Sequence, residues 1–78
     1  MKIYIAECYD RHIDPVIKVY ASLESALAYA KAFVHDNARY SDRIQEAYID
    51  QALYYCRYSE EGDYVTVKEG VIEPDHVT

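Results

Sequence analysis

The sequence predicts a small two-layer α+β domain, in which one or two helices cover one face of an antiparallel sheet of three to four strands. Three observations favour it: two strand-like runs near the N-terminus, an amphipathic segment after them, and a hairpin pattern over residues 53–68. An amphipathic helix must bury its apolar stripe, and a sheet with one apolar face provides the surface. The expected element order is ββα(α)ββ.

Two segments with alternating side chains begin the chain, residues 2–9 and 16–21. Alternation with a period of two is typical of a strand with one buried face. The aliphatic side chains on one side of both strands predict the face that a helix covers. These residues are Ile3, Ile5, Ile17 and Val19.

The clearest helical period follows Ser22, a residue type that caps helix N-termini with its hydroxyl. Apolar residues recur there at steps of three and four, and Asn37 is suited to end the helix. They are Leu23, Ala26, Leu27, Ala30, Phe33 and Val34. A second, shorter helix is predicted from Ser41 or Asp42, with Ile44, Ala47 and Tyr48 on its apolar side.

The hairpin pattern consists of two runs rich in tyrosine and valine, from about Ala52 to Tyr58 and from Tyr64 to Lys68. The link Ser59–Asp63 between them contains Gly62 and fits a four- or five-residue hairpin loop. One alternative stays open: residues 42–55 form a single long helix, and the hairpin turns at residues 69–70. Residues 70–78 are expected to be a mobile tail, with a short edge strand at 71–72.

Length and charge limit the possible functions. The 78 residues predict one domain, 1–78, and the 14 acidic against 8 basic residues give a net charge of -6. A negative field repels phosphate backbones and anionic membranes and favours a basic protein partner. The chain runs from Met1 directly into a strand and has no apolar run near the ~20 residues of a membrane span. We therefore expect a cytoplasmic protein that binds neither nucleic acid nor membrane directly.

The sequence predicts no catalytic, cofactor or metal site. Cys8, Asp10, His12 and Asp14 occur at every second position, but no second ligand cluster accompanies them. Cys8 and Cys56 are expected to be reduced, and whether they face each other stays open. An enzyme would need a pocket that holds His12 or His35 beside a cysteine or a carboxylate.

Tyrosines are the first candidate contact residues. Strand alternation places Tyr4, Tyr20 and Tyr64 opposite the aliphatic face, and Tyr54 and Tyr58 can join them. An uncovered aromatic patch typically marks a contact surface. The alternative is that cross-strand tyrosine pairs only stabilise the sheet.

Carboxylates are the second candidate. Asp42, Glu46 and Asp50 recur every four residues, which on a helix spaces them by roughly 6 Å along one face. Such a row is similar to a strand of phosphates in spacing and sign. The alternative is an ordinary solvated helix face beside Arg39 and Arg43.

The chain resembles small proteins of phages and mobile elements. The residues that carry the resemblance are the N-terminal Met1–Ile5 and the hairpin Leu53–Val67, in a short, acidic, tyrosine-rich chain. Within that group it is most similar to anti-CRISPR proteins that act on type I CRISPR-Cas surveillance complexes. The resemblance implies a DNA mimic: a non-enzymatic inhibitor in the cytoplasm of a bacterial host, binding a basic Cas subunit as a monomer or weak homodimer. It carries over no functional residue.

The leading functional hypothesis is therefore an inhibitor that blocks target DNA through an acidic, tyrosine-rich surface. Its predicted partner-binding residues are Tyr4, Tyr20, Asp42, Glu46, Asp50, Tyr58, Glu60, Glu61, Asp63 and Tyr64. The alternative is a small phage or bacterial adaptor or regulatory protein that binds a cellular protein through its open sheet face, with the acids serving solubility alone.

Overall fold

A computed structural model describes residues 1–40, 43–47 and 52–73. The described elements are β1 (Lys2–Tyr9), β2 (Val16–Tyr20), α1 (Leu23–Asn37), β3 (Gln45–Ala47), β4 (Tyr54–Arg57) and β5 (Tyr64–Val71). The α+β class is confirmed. Within the described ranges the sheet has five strands rather than the predicted three to four, in the order β2-β1-β5-β4-β3, and every neighbouring pair is antiparallel. The element order is ββαβββ instead of the predicted ββα(α)ββ.

The centre of the sheet is the pairing of β1 with β5, which runs from Lys2 opposite Val71 to Tyr9 opposite Tyr64. Beyond it the N–H of Ile72 donates to the carbonyl oxygen of Met1 at 2.9 Å. Gly70 and Val71 thus belong to the central strand β5, so the predicted edge strand at 71–72 is wrong. Residues 74–78 of the predicted tail lie outside the described residues. The β4–β5 hairpin is also confirmed, so the alternative of one helix over 42–55 is wrong.

The predicted first helix is confirmed in its start, its end and its buried stripe. The Ser22 hydroxyl accepts the N–H of Ser25 at 3.2 Å, and α1 ends at Asn37. Ala26, Ala30 and Val34 are its buried residues. In the described ranges no helix has the length and apolar character needed to cross a membrane.

The prediction of a second helix is wrong over the residues that the structure describes. Gln45–Ala47 forms β3, in which Gln45 lies opposite Arg57 and Ala47 opposite Tyr55. A short isolated helix is marginal, because nucleation costs more than one turn of hydrogen bonds returns. Pairing with β4 gives the same backbone groups partners in the sheet. Asp42 and Tyr48, which belonged to the predicted helix, lie outside the described residues.

The sheet face that α1 covers is the opposite of the predicted one for β1 and β2. Ala6 and Cys8 are fully buried under the helix, together with Val65 and Val67 of β5. Tyr4, Val16, Tyr20 and Tyr54 pack around this core. The predicted core residues Ile3, Ile5, Ile17 and Val19 instead lie on the uncovered face. Small residues at the centre allow helix and sheet to approach closely, and the larger tyrosine rings fill the margins.

The two cysteines do not pair. Cys8 and Cys56 both lie opposite Val65, one on each side of β5, so two strand spacings of about 4.8 Å separate their backbones. A disulfide requires Cα atoms within about 7 Å. Both thiols are free and buried, and burial raises the pKa of Cys8 to about 11.

The β4–β5 link depends on a left-handed backbone at Gly62, whose φ is 97°. The Gly62 N–H donates to the Ser59 carbonyl oxygen at 3.3 Å, and the Tyr58 N–H donates to that of Asp63 at 3.0 Å. A Cβ at Gly62 would meet no atom within 4 Å. The requirement for glycine is therefore one of backbone conformation alone.

We expect Gly62→Ala to lower the free energy of unfolding by about 1 kcal/mol, because a Cβ is disfavoured at positive φ. Gly62→Asn should lose less, since asparagine tolerates this conformation. Urea denaturation of the three proteins measures both differences. Equal losses for alanine and asparagine would show that the backbone conformation is not the cause.

Candidate functional site

The sheet face opposite α1, which no described element covers, is the first candidate contact surface. We call it the open sheet face, and it consists of the side chains that point away from α1. From β1 and β2 these are Ile3, Ile5, Glu7, Tyr9, Ile17 and Val19, and from β3, β4 and β5 they are Gln45, Ala47, Tyr55, Arg57, Tyr64, Thr66 and Lys68, with Gly70 at the same face. Thr66 is buried, with 3% exposure.

Its aliphatic half lies on β1 and the edge strand β2. Ile17 and Val19 are 58% and 55% exposed, and the exposed Met1 and Ile72 adjoin this half at the ends of β1 and β5. The side chains of Ile3 and Ile5 lie over Gly70, because a Cβ there would be only 3.3 and 3.2 Å from them. Together these side chains form a continuous aliphatic surface.

Its aromatic half lies at the other end of β5. The ring of Tyr64 is 5.1 Å from that of Tyr9 and 5.5 Å from that of Tyr55, measured between centroids. The Tyr9 hydroxyl donates to Glu7 Oε2 at 3.1 Å, and Lys68 Nζ lies 3.6 Å from the same oxygen. These cross-strand contacts stabilise the sheet and fix the rings in place.

A second candidate site lies where the β1–β5 pairing ends. Residues 10–12 leave β1 there and meet the link 59–63 that leads into β5. Together with the chain after α1 they enclose a cavity of about 250 Å³. We call it the His12 pocket; its lining includes Asp10, His12, Arg39, Arg43, Tyr58 and Asp63.

Hydrogen bonds hold both aspartates of the His12 pocket. Asp63, only 4% exposed, accepts the N–H of Arg11 at 2.9 Å and the hydroxyl of Ser59 at 2.9 Å. Asp10 accepts the Tyr58 hydroxyl at 2.6 Å and the N–H of His12 at 2.9 Å. Ligand atoms of Asp10, His12 and Asp63 all lie within 4.8 Å of one another, so these residues are the candidates for a metal.

The same contacts shift the pKa values of Asp10 and Tyr58. Burial raises the pKa of Asp10, but hydrogen bonds from Tyr58 and His12 and the charges of His12 and Arg39 outweigh it, so the pKa of Asp10 is lowered. Burial, followed by the bond to Asp10, raises the pKa of the Tyr58 hydroxyl. Asp10 is therefore the ionised partner and Tyr58 the proton donor.

Several predicted contact residues are not on an open surface. Tyr58 is 2% exposed and Asp63 is 4% exposed, while Tyr4, Tyr20 and Tyr54 are partly buried against the core under α1. The predicted place of these four tyrosines on the open face is wrong, because α1 covers the face that carries them. Asp63 is buried in the β4–β5 link, where Arg11 and Ser59 donate to it. Tyr64 does lie on the open sheet face.

The predicted acidic row is wrong as a helical feature. Glu46 lies on β3, where its Oε1 accepts the Tyr54 hydroxyl at 3.0 Å. Asp42 and Asp50 lie outside the described residues. Glu60 and Glu61 are exposed, as predicted, but both have cations nearby. Glu60 forms an ion pair with Arg43, and Glu61 Oε2 lies 3.7 Å from Arg11 Nη1 and 3.6 Å from His12 Nε2.

Sequence reasoning missed the pairing of Asp63 with the Asp10–His12 segment, and it missed Tyr9 and Tyr55 as members of the open sheet face. The two-residue spacing of Asp10 and His12 was a usable signal, but the strand order that adds Asp63 was not predicted. No family model, no curated protein and no solved structure matches this chain.

We expect Tyr58→Phe to lower the free energy of unfolding by about 2 kcal/mol near neutral pH, since it removes a hydrogen bond to a charged group. The folded-state pKa of Asp10 is lowered, so this stabilisation is present above the unfolded pKa of about 3.9 and is lost as pH falls through the folded value. The difference in the free energy of unfolding between Tyr58→Phe and the unaltered protein should therefore become smaller in acid.

Urea denaturation across that pH range measures the difference, and Tyr64→Phe is the matched control because its ring lies on the open sheet face. A difference for Tyr58→Phe that stays constant with pH would contradict the bond to ionised Asp10.

Proposed function

We propose that this protein is a non-enzymatic binding protein that docks on a larger protein assembly through its open sheet face. The observation that carries the proposal is the exposed aliphatic half of that face, led by Ile17 and Val19. Burying one such side chain contributes about 1.5–3 kcal/mol. A contiguous apolar surface with fixed tyrosine rings beside it is typical of a contact site.

The position of β2 suggests the form of the contact. It is one of the two edge strands, and among the described residues no strand pairs with its outer backbone groups, which a further strand could therefore use. Ile17 and Val19 project to the open face, whereas Lys18 lies on the other side. An extended partner segment with apolar residues at alternate positions would pair with β2 and cover both side chains.

As the specific partner we propose a Cas subunit of a type I surveillance complex, in the cytoplasm of a bacterial host, on the strength of the resemblance to anti-CRISPR proteins. The mechanism proposed here differs from DNA mimicry. Glu60 and Glu61 already have Arg43, Arg11 and His12 beside them, which reduces the negative field they offer a partner. The net charge of -6 would then serve long-range steering toward a basic assembly.

The test is binding of the purified protein to a purified type I surveillance complex, with and without target DNA. We expect Ile17→Thr with Val19→Thr to weaken binding at least about tenfold, because threonine keeps the β-branched shape and removes apolar area. Ile13→Thr is the matched control: Ile13 is also exposed but lies in the β1–β2 connection.

The charge-reversed variant Glu60→Lys with Glu61→Lys separates the two mechanisms. Its net charge is -2, since each exchange adds two to the -6 of the unaltered protein, so we expect slower association but an unchanged dissociation rate. The Ile17 and Val19 variant should instead dissociate faster. The reverse pattern would favour competition with DNA through the acids and would overturn docking by the open sheet face. Absence of binding by the unaltered protein would reject the surveillance complex as the partner.

A further inference from the structure

We propose that Asp10, His12 and Asp63 form a binding site for one divalent first-row transition-metal ion. Zn²⁺ is the physiological ion that best suits the ligands of this site. The site is independent of the open sheet face. It lies in the His12 pocket, at the end of the β1–β5 pairing.

The ligand atoms of the three residues need to approach one another only slightly to coordinate an ion. Ligand atoms of the three residues lie within 4.8 Å of one another. Bonds of about 2.0–2.2 Å to nitrogen and oxygen place neighbouring ligand atoms about 3.4 Å apart in a tetrahedral site. The His12 side chain is 61% exposed, so its ring is free to move toward the two aspartates without disturbing the core.

The two carboxylates are oriented by donors other than the proposed ion. Asp63 is held by Arg11 and Ser59, and Asp10 by Tyr58 and the backbone of His12. A carboxylate has about four lone-pair sites, so each retains capacity for a metal. Hydrogen bonds of this kind from surrounding groups typically orient metal ligands in proteins.

A fourth ligand is available beside His12. Glu61 Oε2 lies 3.6 Å from His12 Nε2, and this side chain is half exposed. The cavity of about 250 Å³ also has room for water. The pocket can therefore complete four-fold coordination with a carboxylate or with a water molecule.

The donor types select the class of ion. One imidazole with two or three carboxylates suits a borderline ion such as Zn²⁺, whereas Mg²⁺ and Ca²⁺ prefer oxygen ligands alone. Soft ions prefer thiolates, but Cys8 and Cys56 are buried in the core under α1.

The charges around the pocket are close to balance but favour a cation. Asp10, Asp63, Glu60 and Glu61 contribute four negative charges, and Arg11, Arg39 and Arg43 contribute three positive charges. With a neutral imidazole the sum stays negative. A bound ion would join the β1–β2 connection to the β4–β5 link, two segments that lie far apart in sequence.

Titration calorimetry of chelator-treated protein with ZnSO₄ tests the site, with Co²⁺ absorption as a spectroscopic probe of the ligand geometry. We expect one ion per chain, a rise in melting temperature on binding, and much weaker binding of Mg²⁺ and Ca²⁺. His12→Ala should weaken Zn²⁺ binding at least tenfold and change the Co²⁺ spectrum. Asp10→Asn is the second variant and should also weaken it.

The matched control is His35→Ala, because His35 Nδ1 lies 3.5 Å from Asp36 Oδ1 in an exposed pair on α1. It should bind Zn²⁺ as the unaltered protein does. Circular dichroism verifies that each variant is folded. No binding by the unaltered protein, or equal binding by His12→Ala, would overturn the proposal.

Discussion

The pairing of β1 with β5 is the interaction on which the rest of the structure depends. It joins the first and last of the described strands along their full lengths, from Lys2 opposite Val71 to Tyr9 opposite Tyr64. Such a contact closes a long loop that contains β2, α1, β3 and β4, so its entropic cost must be met by the core that it creates. That core is Ala6 and Cys8 packed with Val67 and its neighbours under α1. The pairing also determines where both candidate sites lie.

Tyrosine has two different roles in this fold. Under α1, rings line the margins of a core with small residues at its centre, and their hydroxyls reach carboxylates at the edge: Tyr58 donates to Asp10 and Tyr54 to Glu46. On the other face Tyr64 stacks between its neighbours. A core built from phenol rings needs polar partners at its rim. Several acids of this chain therefore serve the fold itself.

This use of the acids changes how a partner would meet the protein. Carboxylates that accept internal hydrogen bonds or lie beside arginines offer less net attraction to a basic surface. In the part of the chain that the structure describes, the side chains of the aliphatic half of the open sheet face take no part in such hydrogen bonds or ion pairs. Contact energy is therefore expected from apolar burial, and charge is expected to act mainly on the rate of encounter.

The sequence by itself determined the local elements: β1, β2, the capped helix α1 and the β4–β5 hairpin follow from period, cap and turn residues. Only the tertiary structure decided which face of β1 and β2 is covered. Alternation distinguishes two faces, but both carry large apolar side chains, and close packing at Ala6 and Ala30 selected one. It also decided that Asp63 joins Asp10 and His12, because residues more than fifty positions apart meet only through strand order.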